Sequence, residues 1–402
     1  MNGLSQSDKD KIAFVVQRYG LEVNGGSELY CRQVAERLTS LYDVTVYTSC
    51  AVDYLTWANT YPAGEEIINN VHVKRFPVIK PRKLKEFSII CRLVEWIPFH
   101  PDVLEDIWVD KQGPLCPELL NALDKEHNQY RAILFMTYLY YPTIRGIQKG
   151  YKNAILIPTV HDEPAVYLRV FDHVFSFAQS LVWNTQEERK FAQKRFPMII
   201  GTPEVMAGIG IETPEKKLPD LPELIRGCRY LVYAGRIDKN KGCGEMFEFF
   251  RRYKKRHEND LKLVLMGKEA MQIPKDPDII HIGFVSEETK YAVMADAVAL
   301  ILFSSFESLS MVVLESMAMR RPVLVTGRSE VLKGHCLRSG AGLYFYNYEE
   351  FETALDLLLT DFERYEIMRE NGKRYIQENY RWDVIIKKYK EIIDKVVSEK
   401  NV

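Results

Sequence analysis

Two glutamates eight positions apart, Glu307 and Glu315, carry the strongest chemical signal in the chain. Both lie in the stretch FSSFESLSMVVLESMAMRRP, from Phe303 to Pro322. The apolar run before it, Val298 to Phe303, reads as a buried strand; the residues after Ser310 read as a helix. Glu307 falls in the turn and Glu315 about a turn and a half inside the helix. Carboxylates so placed can accept hydrogen bonds from sugar hydroxyls. Between them Ser308, Leu309 and Ser310 put backbone N–H groups at the helix start. Such an end holds unpaired donors and a positive partial charge, which suits a phosphate. Taken alone, a capped core helix with an incidental glutamate fits the segment as well.

A second group strengthens the first reading. Gly235-Arg236-Ile237-Asp238-Lys239-Asn240-Lys241-Gly242 follows an apolar run directly, so Arg236 and Lys241 can converge on one diphosphate, one as a fork donor and the other as a point charge. By itself the loop reads better as a solvated basic turn; beside the glutamate pair the diphosphate reading overtakes it. His161, in His161-Asp162-Glu163 at the end of the run Ala154 to Val160, fits a polar contact or a proton relay, with a structural histidine as the alternative. Asp276-Pro277-Asp278 has the D-x-D form that holds metal in some sugar transferases, but its proline and its place before a strand make it a turn. No second ligand cluster stands at metal spacing, so no metal is expected. Neither G-x-x-x-x-G-K-[ST] nor G-x-S-x-G occurs, which counts against P-loop NTPases and α/β-hydrolases.

The elements that must position these residues alternate between short apolar runs and helical patterns. Ile12 to Val16 reads as a strand, followed by a loop ending in Asn24-Gly25-Gly26, Ser27 as N-cap, and a helix with Glu28 in its first turn. Val44 to Thr48 completes a unit of the kind that builds a parallel sheet, without the G-x-G-x-x-G of dinucleotide binding. Val71 to Pro77, Ala132 to Met136, Ala154 to Val160 and Leu181 to Asn184 add strands, and Thr185 to Arg195 a helix. Val205 to Pro214, with the following EKKLPDLPE, reads as a linker. A second series then begins: strands at Tyr230 to Ala234, Leu261 to Met266, Ile279 to Ile282, Val298 to Phe303 and Pro322 to Thr326, and helices from about Glu245, from about Ser286 and over Glu349 to Leu359. A long amphipathic helix runs from Trp382 to Val397. The organisation is α/β, with domains at 1–206 and 207–381 and a terminal helix at 382–402.

Composition narrows the class further. A chain of 402 residues suggests two or three domains, and a net charge of −1 gives no electrostatic case for nucleic acid. Seven scattered cysteines without a C-x-x-C point to a reducing, cytoplasmic setting. The N-terminal stretch MNGLSQSDKDK lacks the apolar core of a signal peptide. No apolar run approaches the ~20 residues of a membrane span. Lys80 to Trp96 mixes lysines and arginines with Phe87, Ile89, Ile90, Leu93 and Trp96. It reads either as a surface helix with one face in the core or as a basic amphipathic helix lying on a membrane.

Together these residues resemble a retaining glycosyltransferase of family 4 with a GT-B fold: two Rossmann-like domains with parallel sheets facing across a cleft. The resemblance covers nearly the whole chain and is weakest over residues 79–129. It rests on E-x7-E, GRIDKNKG, GFVS, the early NGGSE loop, and the late Glu330 with Gly342-Leu343, all in the family's order. It implies that Glu315 binds the ribose hydroxyls of a nucleotide and Glu307 the hydroxyls of the donor sugar. It gives the backbone N–H groups of Leu309 and Ser310 the sugar or phosphate, and Arg236 and Lys241 the diphosphate. Phe284 and Val285 would lie against the base, Gly26 would let its loop approach the donor, and His161 would stand beside the donor sugar. The terminal helix would cross back to the first domain. The donor would be a UDP-, GDP- or other nucleoside diphosphate sugar, and the acceptor a saccharide or lipid-linked saccharide in cell-surface polysaccharide or glycolipid synthesis, with no cofactor. The setting would be cytoplasmic, or peripheral on the cytoplasmic face of the membrane. Two departures stand out. Glu307-Ser308-Leu309-Ser310 replaces the frequent Glu-Gly-Phe-Gly, and Arg321 replaces the usual glycine before Pro322-Val323. A non-catalytic partner subunit of the same fold is the competing reading; an oxidoreductase is disfavoured by the missing glycine fingerprint.

Overall fold

A computed structural model describes residues 9–23, 25–97, 99–212, 214 and 217–398. Most of the polar N-terminal stretch, Asn24 of the glycine loop, and Thr213, Glu215 and Lys216 of the linker lie outside them. The chain forms two compact units, residues 1–209 with 386–402, and residues 210–385.

The first unit is built on eight strands: β1 (Lys11–Val15), β2 (Asp43–Ser49), β3 (Gly64–Ile68), β4 (Val71–Phe76), β5 (Ala132–Met136), β6 (Ala154–Ile157), β7 (Ser180–Trp183) and β8 (Glu204–Met206). They lie in the order β3-β4-β2-β1-β5-β6-β7-β8, all parallel except β3. β1, β5 and β6 are continuous apolar runs because helices cover both faces of a parallel sheet; Ile12 to Val15, Ala132 to Met136 and Ala154 to Ile157 are all buried. β3 turns into β4 through Asn69-Asn70, both at positive φ (48° and 66°), the two-residue hairpin geometry that asparagine tolerates. β8 reaches into the stretch read as a linker, where Val205 and Met206 pair with Val182 and Trp183.

The helix Gly26–Leu38 begins one residue before the expected cap. Gly25, not Ser27, is its N-cap, and no side chain caps it. Ser27 Oγ accepts from Gln17 Nε2 at 3.2 Å and donates to Glu28 Oε2 at 2.9 Å, because Glu28 is turned inward onto Arg18. The helix Leu84–Trp96 packs Phe87, Ile90, Cys91 and Val94 on the core but leaves Leu84, Ile89 and Trp96 exposed, Trp96 by 79%. Arg82, counted above among the basic residues of that stretch, turns inward instead. Its guanidinium donates to the carbonyls of Lys111 and Gln112 and lies over the rings of Trp57 and Phe87. Among the described residues no helix is long and apolar enough to cross a membrane.

The second unit carries six parallel strands: β9 (Tyr230–Ala234), β10 (Lys262–Met266), β11 (Ile279–His281), β12 (Ala299–Leu302), β13 (Val323–Thr326) and β14 (Gly342–Phe345). Their order is β11-β10-β9-β12-β13-β14, so the winding direction reverses between β9 and β12. Crevices at the carboxyl ends of strands open where an α/β sheet reverses in this way. The loops leaving β9, β10 and β12 crowd there. A Cβ on Gly267 would stand 2.0 Å from the Gly235 carbonyl oxygen. Gly242 has φ +70°, and a Cβ there would stand 2.4 Å from the Phe303 carbonyl oxygen. That close approach seats the basic loop 235–242 on the end of β12.

The terminal helix Trp382–Ser398 buries Ile385, Tyr389, Ile392, Ile393 and Val396, the spacing of one helical stripe. The Tyr389 hydroxyl meets that of Tyr30 at 2.7 Å, and Tyr30 donates to the Gly208 carbonyl.

Gly242→Ala should destabilise the chain by about 2–4 kcal/mol, combining left-handed backbone strain with the clash on Phe303. Urea unfolding measures it; a change within ~0.5 kcal/mol, the range of an ordinary surface substitution, would refute this account of the glycine.

Candidate active site

The reversal between β9 and β12 brings together six of the residues singled out in the sequence. After β9 the chain makes a short turn, Lys239–Lys241, capped by Asp238, whose Oδ1 accepts the Lys241 N–H at 3.0 Å. Arg236 Nε donates to the other oxygen of Asp238. Tyr233 donates its hydroxyl to the Arg236 carbonyl at 2.7 Å and so fixes the start of the loop. This arrangement aims Lys241 at the segment after β12, where its Nζ pairs with Glu307 Oε1 at 2.8 Å.

Downstream of Glu307 the helix spans Met311–Ala318, and Ser310 is its N-cap. Ser310 adopts φ 61°, ψ 73°, the left-handed region that most L-residues avoid. Serine thus takes a conformation that glycine adopts without strain. Its Oγ is buried and has no hydrogen-bond partner among the described residues. The Arg321 departure is resolved one residue earlier. Arg320 takes the left-handed conformation, φ 57°, and the N–H groups of Arg320 and Arg321 close the helix on Met317 and Ser316 at 3.0 and 2.9 Å.

Glu315, 4% exposed, pairs through Oε1 with Lys290 Nζ at 2.9 Å; its Oε2 is buried without a partner among the described residues. Burial pushes the Glu315 carboxyl above the ordinary value, against the opposing charge of Lys290. Burial alone would lower the Lys290 ammonium; the carboxylates of Glu315 and Glu287, the latter at 2.7 Å, outweigh it and hold Lys290 above the ordinary lysine value. Lys290 lies in the helix Glu287–Asp296, capped by Ser286. Nothing in its local sequence marks it, since its partner stands 25 positions away.

His335 is a second partner that the sequence did not reveal. It is fully buried in the helix Glu330–Ser339, and its Nε2 meets the Leu309 carbonyl at 2.8 Å. A carbonyl only accepts, so Nε2 carries the proton. Nδ1 then accepts from the Tyr375 hydroxyl at 3.2 Å. Burial, and secondarily the charge of Arg338, push the imidazole down to about 4.

Phe284 and Val285 follow β11 at the same edge, behind Gly283, whose carbonyl accepts from Gly267 N at 2.8 Å. Phe284 is 72% exposed. Asp276 Oδ1 accepts the Asp278 N–H at 3.0 Å, closing the expected turn, and both carboxylates bind basic side chains, Arg251 and Lys262. Among the described residues no group of three or more histidines, cysteines and carboxylates stands at metal-binding distance.

His161 and Gly26 belong to the first unit. A Cβ on Gly25 would collide with the Glu28 carboxylate at 2.0 Å, so the Arg18–Glu28 pair requires that glycine; a Cβ on Gly26 would meet nothing within 4 Å. Packing among the described residues therefore does not require a glycine at 26. His161 Nε2 lies 3.7 Å from Glu163 Oε1, which accepts the Tyr138 hydroxyl at 2.6 Å. The strand end that carries His161 is tied down by Glu188. Its buried carboxylate accepts the N–H groups of Val160 at 2.8 Å and Asn184 at 2.7 Å, bridging the ends of β6 and β7. Burial pushes Glu188 up to about 8 despite these bonds.

Residues 223–375 match the model of the family described as glycosyl transferases group 1. An uncharacterized glycosyltransferase of Methanocaldococcus jannaschii is 26% identical over 94% of this chain and 96% of its own length. Among solved structures, sucrose-phosphate synthase of Thermosynechococcus elongatus aligns with a TM-score of 0.70 at 15% identity, covering 97% of this chain and 100% of that one. Anabaena HepE, solved with UDP and glucose, aligns with a TM-score of 0.63 at 14% identity, covering 96% and 99%. The fold is GT-B, and the protein is a glycosyltransferase with a group 1 domain in its second unit.

The buried His335 yields a measurable acid response. Its folded value lies below the ordinary histidine value, so the unfolded chain binds the proton more readily. The stability it confers is complete above about pH 6.5 and is lost as pH falls toward 4, by on the order of 3 kcal/mol. Glu315, shifted upward, works in the opposite sense and weakens stability as pH rises past the ordinary carboxylate range. Unfolding curves between pH 4 and 7 should therefore lose a large part of their acid slope in His335→Gln; an unchanged slope would contradict a neutral buried imidazole.

Proposed function

We propose that this chain is a retaining, metal-independent glycosyltransferase of family 4. It moves a sugar from a nucleoside diphosphate to a saccharide or lipid-linked acceptor in cell-surface polysaccharide or glycolipid synthesis. The observation that carries the reading is the Glu315 carboxylate, buried beside Lys290 at the reversal of the sheet with one oxygen unpartnered among the described residues. A buried acceptor of this kind asks for donors, and the hydroxyl pair of a ribose supplies them.

The neighbouring groups extend the reading. Glu307 takes hydroxyls of the donor sugar, and the N–H groups of Leu309 and Ser310 take the sugar or phosphate. Lys241 and Arg236 take the diphosphate, Lys241 then standing between the Glu307 carboxylate and a phosphate. Phe284 and Val285 lie against the base, Gly26 leaves room for the donor, and His161 stands beside the donor sugar. As the bond from sugar to diphosphate breaks, negative charge grows on the leaving phosphate and positive charge on the sugar. Fixed lysine, arginine and helix N–H donors stabilise the first without a metal. The leaving phosphate helps take the proton of an acceptor that attacks from the same face. The UDP and glucose bound by Anabaena HepE support a donor of this class.

Thermal unfolding against UDP, GDP, ADP and dTDP and their sugars, without metal, tests this. One nucleotide should raise stability by about 2.7 kcal/mol at a hundredfold excess over its Kd, and Glu315→Ala and Lys241→Ala should abolish the rise. With that donor, NMR should find the product's anomeric configuration retained; inversion would sink the same-face mechanism. No rise with any nucleotide would favour the non-catalytic partner subunit.

The protein works in the cytoplasm, docking peripherally on an anionic lipid surface. The exposed Leu84, Ile89 and Trp96, continued by Phe99 at 99% exposure and flanked by the exposed Lys80, Lys83 and Lys85, support this. Vesicles containing anionic lipid should co-sediment the protein at low salt, and Trp96→Glu should release it. Equal sedimentation of the variant, or none of the wild type, would end the idea.

A further inference from the structure

We propose that His335 is a positioning residue that holds the Leu309–Ser310 peptide with its N–H, not its carbonyl, turned toward the anionic donor. The inference rests on the reading of this helix start as the donor's sugar or phosphate site.

A trans peptide is planar, with its carbonyl and its N–H pointing in opposite directions. His335 Nε2–H grips the Leu309 carbonyl at 2.8 Å, so the N–H of Ser310 faces away from the helix Glu330–Ser339. The grip is itself braced. Tyr375 donates to Nδ1 at 3.2 Å, Arg338 Nε donates to the Tyr375 oxygen at 3.3 Å, and the Tyr380 hydroxyl stands 3.4 Å from that oxygen. With Nδ1 accepting, only the tautomer protonated at Nε2 satisfies every partner.

The grip has something to hold against. Turning this peptide over alters only ψ of Leu309 and φ of Ser310. It would carry Ser310 from φ 61° to about −120°, out of the left-handed region; at its ψ of 73° the residue would then stand just short of the extended region, which a change of about 30° in ψ would reach. For a serine, then, the unlatched peptide relaxes toward the flipped state. Flipping would present a carbonyl oxygen where an N–H stood, at the start of a helix whose remaining donors face an anion. A glycine at 310 has little preference for either sign of φ and needs no such latch. Serine at this position and histidine at 335 are therefore coupled, although they lie 25 positions apart.

Calorimetric titration of the full chain with UDP, GDP, ADP and dTDP tests the coupling. The proteins compared are wild type, His335→Leu, His335→Gln, Ser310→Gly and the Ser310→Gly/His335→Leu double variant, with thermal unfolding as the check on folding. For the nucleotide that wild type binds, His335→Leu should weaken affinity about tenfold, the worth of one hydrogen bond. His335→Gln, which keeps an N–H at similar reach, should recover most of the loss. In the Ser310→Gly background the same His335→Leu change should cost about threefold or less. Equal affinity of wild type and folded His335→Leu overturns the inference and leaves the transferase reading standing. So does an equal loss in both backgrounds, because the loss would then owe nothing to φ of residue 310. Should His335→Leu fail to fold, His335→Asn, too short to reach the carbonyl, takes its place with the same expectations. If wild type binds none of the four nucleotides, the reading falls and the inference with it.

Discussion

Parallel strands deliver all their carboxyl ends to one edge of a sheet, and the helices that follow start there with their N–H groups unpaired. That constraint organises both units of this chain. Arg236 lies two residues beyond β9, Phe284 three beyond β11, Glu307 five beyond β12 and His161 four beyond β6. Lys290 and Glu315 occupy the opening turns of the helices after β11 and β12. The glycines fit the same logic. Gly235, Gly267 and Gly242 lie where loops leave neighbouring strands, and side chains at Gly267 or Gly242 would strike the backbone of the next loop.

Two of the lysine–glutamate pairs at this edge differ in character. Glu315 and Lys290 are deeply buried, their side chains 5% and 14% exposed; Glu307 and Lys241 are more open, at 13% and 35%. A buried carboxylate without a cation would lose its charge or the fold around it. Lys290 therefore keeps Glu315 able to ionise while binding only one of its oxygens. What remains is a buried acceptor oxygen, Oε2, without a partner among the described residues. The more open pair is suited to exchange. An ammonium with water access can divide its three donors between a carboxylate and an arriving anion, without stranding either partner.

How much of this the sequence disclosed follows from where the partners lie. Strands covered on both faces, such as β1, β5, β9 and β12, are legible as unbroken apolar runs. β3, an exposed edge strand of sequence GEEII, carries no such run, and β14, the edge strand GLYF of the other sheet, buries only Phe345. The helix Asp102–Gln112 buries a helical stripe, Glu105, Trp108, Val109 and Gln112, but two of those four are polar, so no apolar period shows. At the site, the glutamates and the basic loop were legible because each sits in one contiguous motif. Lys290 and His335 were not, since each becomes meaningful only through a contact 25 or 26 positions away. Ser27 and Arg82 misled for the same reason. Local rules read one as a cap and the other as a surface charge, whereas long-range contacts of Glu28 with Arg18, and of Arg82 with the carbonyls of Lys111 and Gln112, decide both.

Backbone strain separates closure of the fold from arrangement of the site. Asn69 and Asn70 take positive φ to make a hairpin, and Arg320 takes it to end a helix; both uses are ordinary chain geometry. Thr137 and Thr159 take it one and two residues beyond β5 and β6, where a β-branched residue is costly and no hairpin or helix end calls for one; Ser310 takes it at the start of the helix that follows β12. At Thr137 the backbone stays bonded to the next strand, Thr137 N–H to the Ile157 carbonyl at 2.8 Å and Tyr138 N–H to that of Pro158 at 3.0 Å. The unusual φ therefore re-aims the chain without releasing it, and sends the Tyr138 hydroxyl to Glu163 beside His161. Glu188 clamps the following strand end, as His335 clamps the peptide before Ser310. In both units, then, an unfavourable backbone conformation stands at the carboxyl edge together with a buried side chain that fixes the adjacent backbone. Such a combination lowers stability locally while leaving little freedom in the direction of a donor group, which is the condition under which fixed dipoles act on a ligand without first having to reorganise.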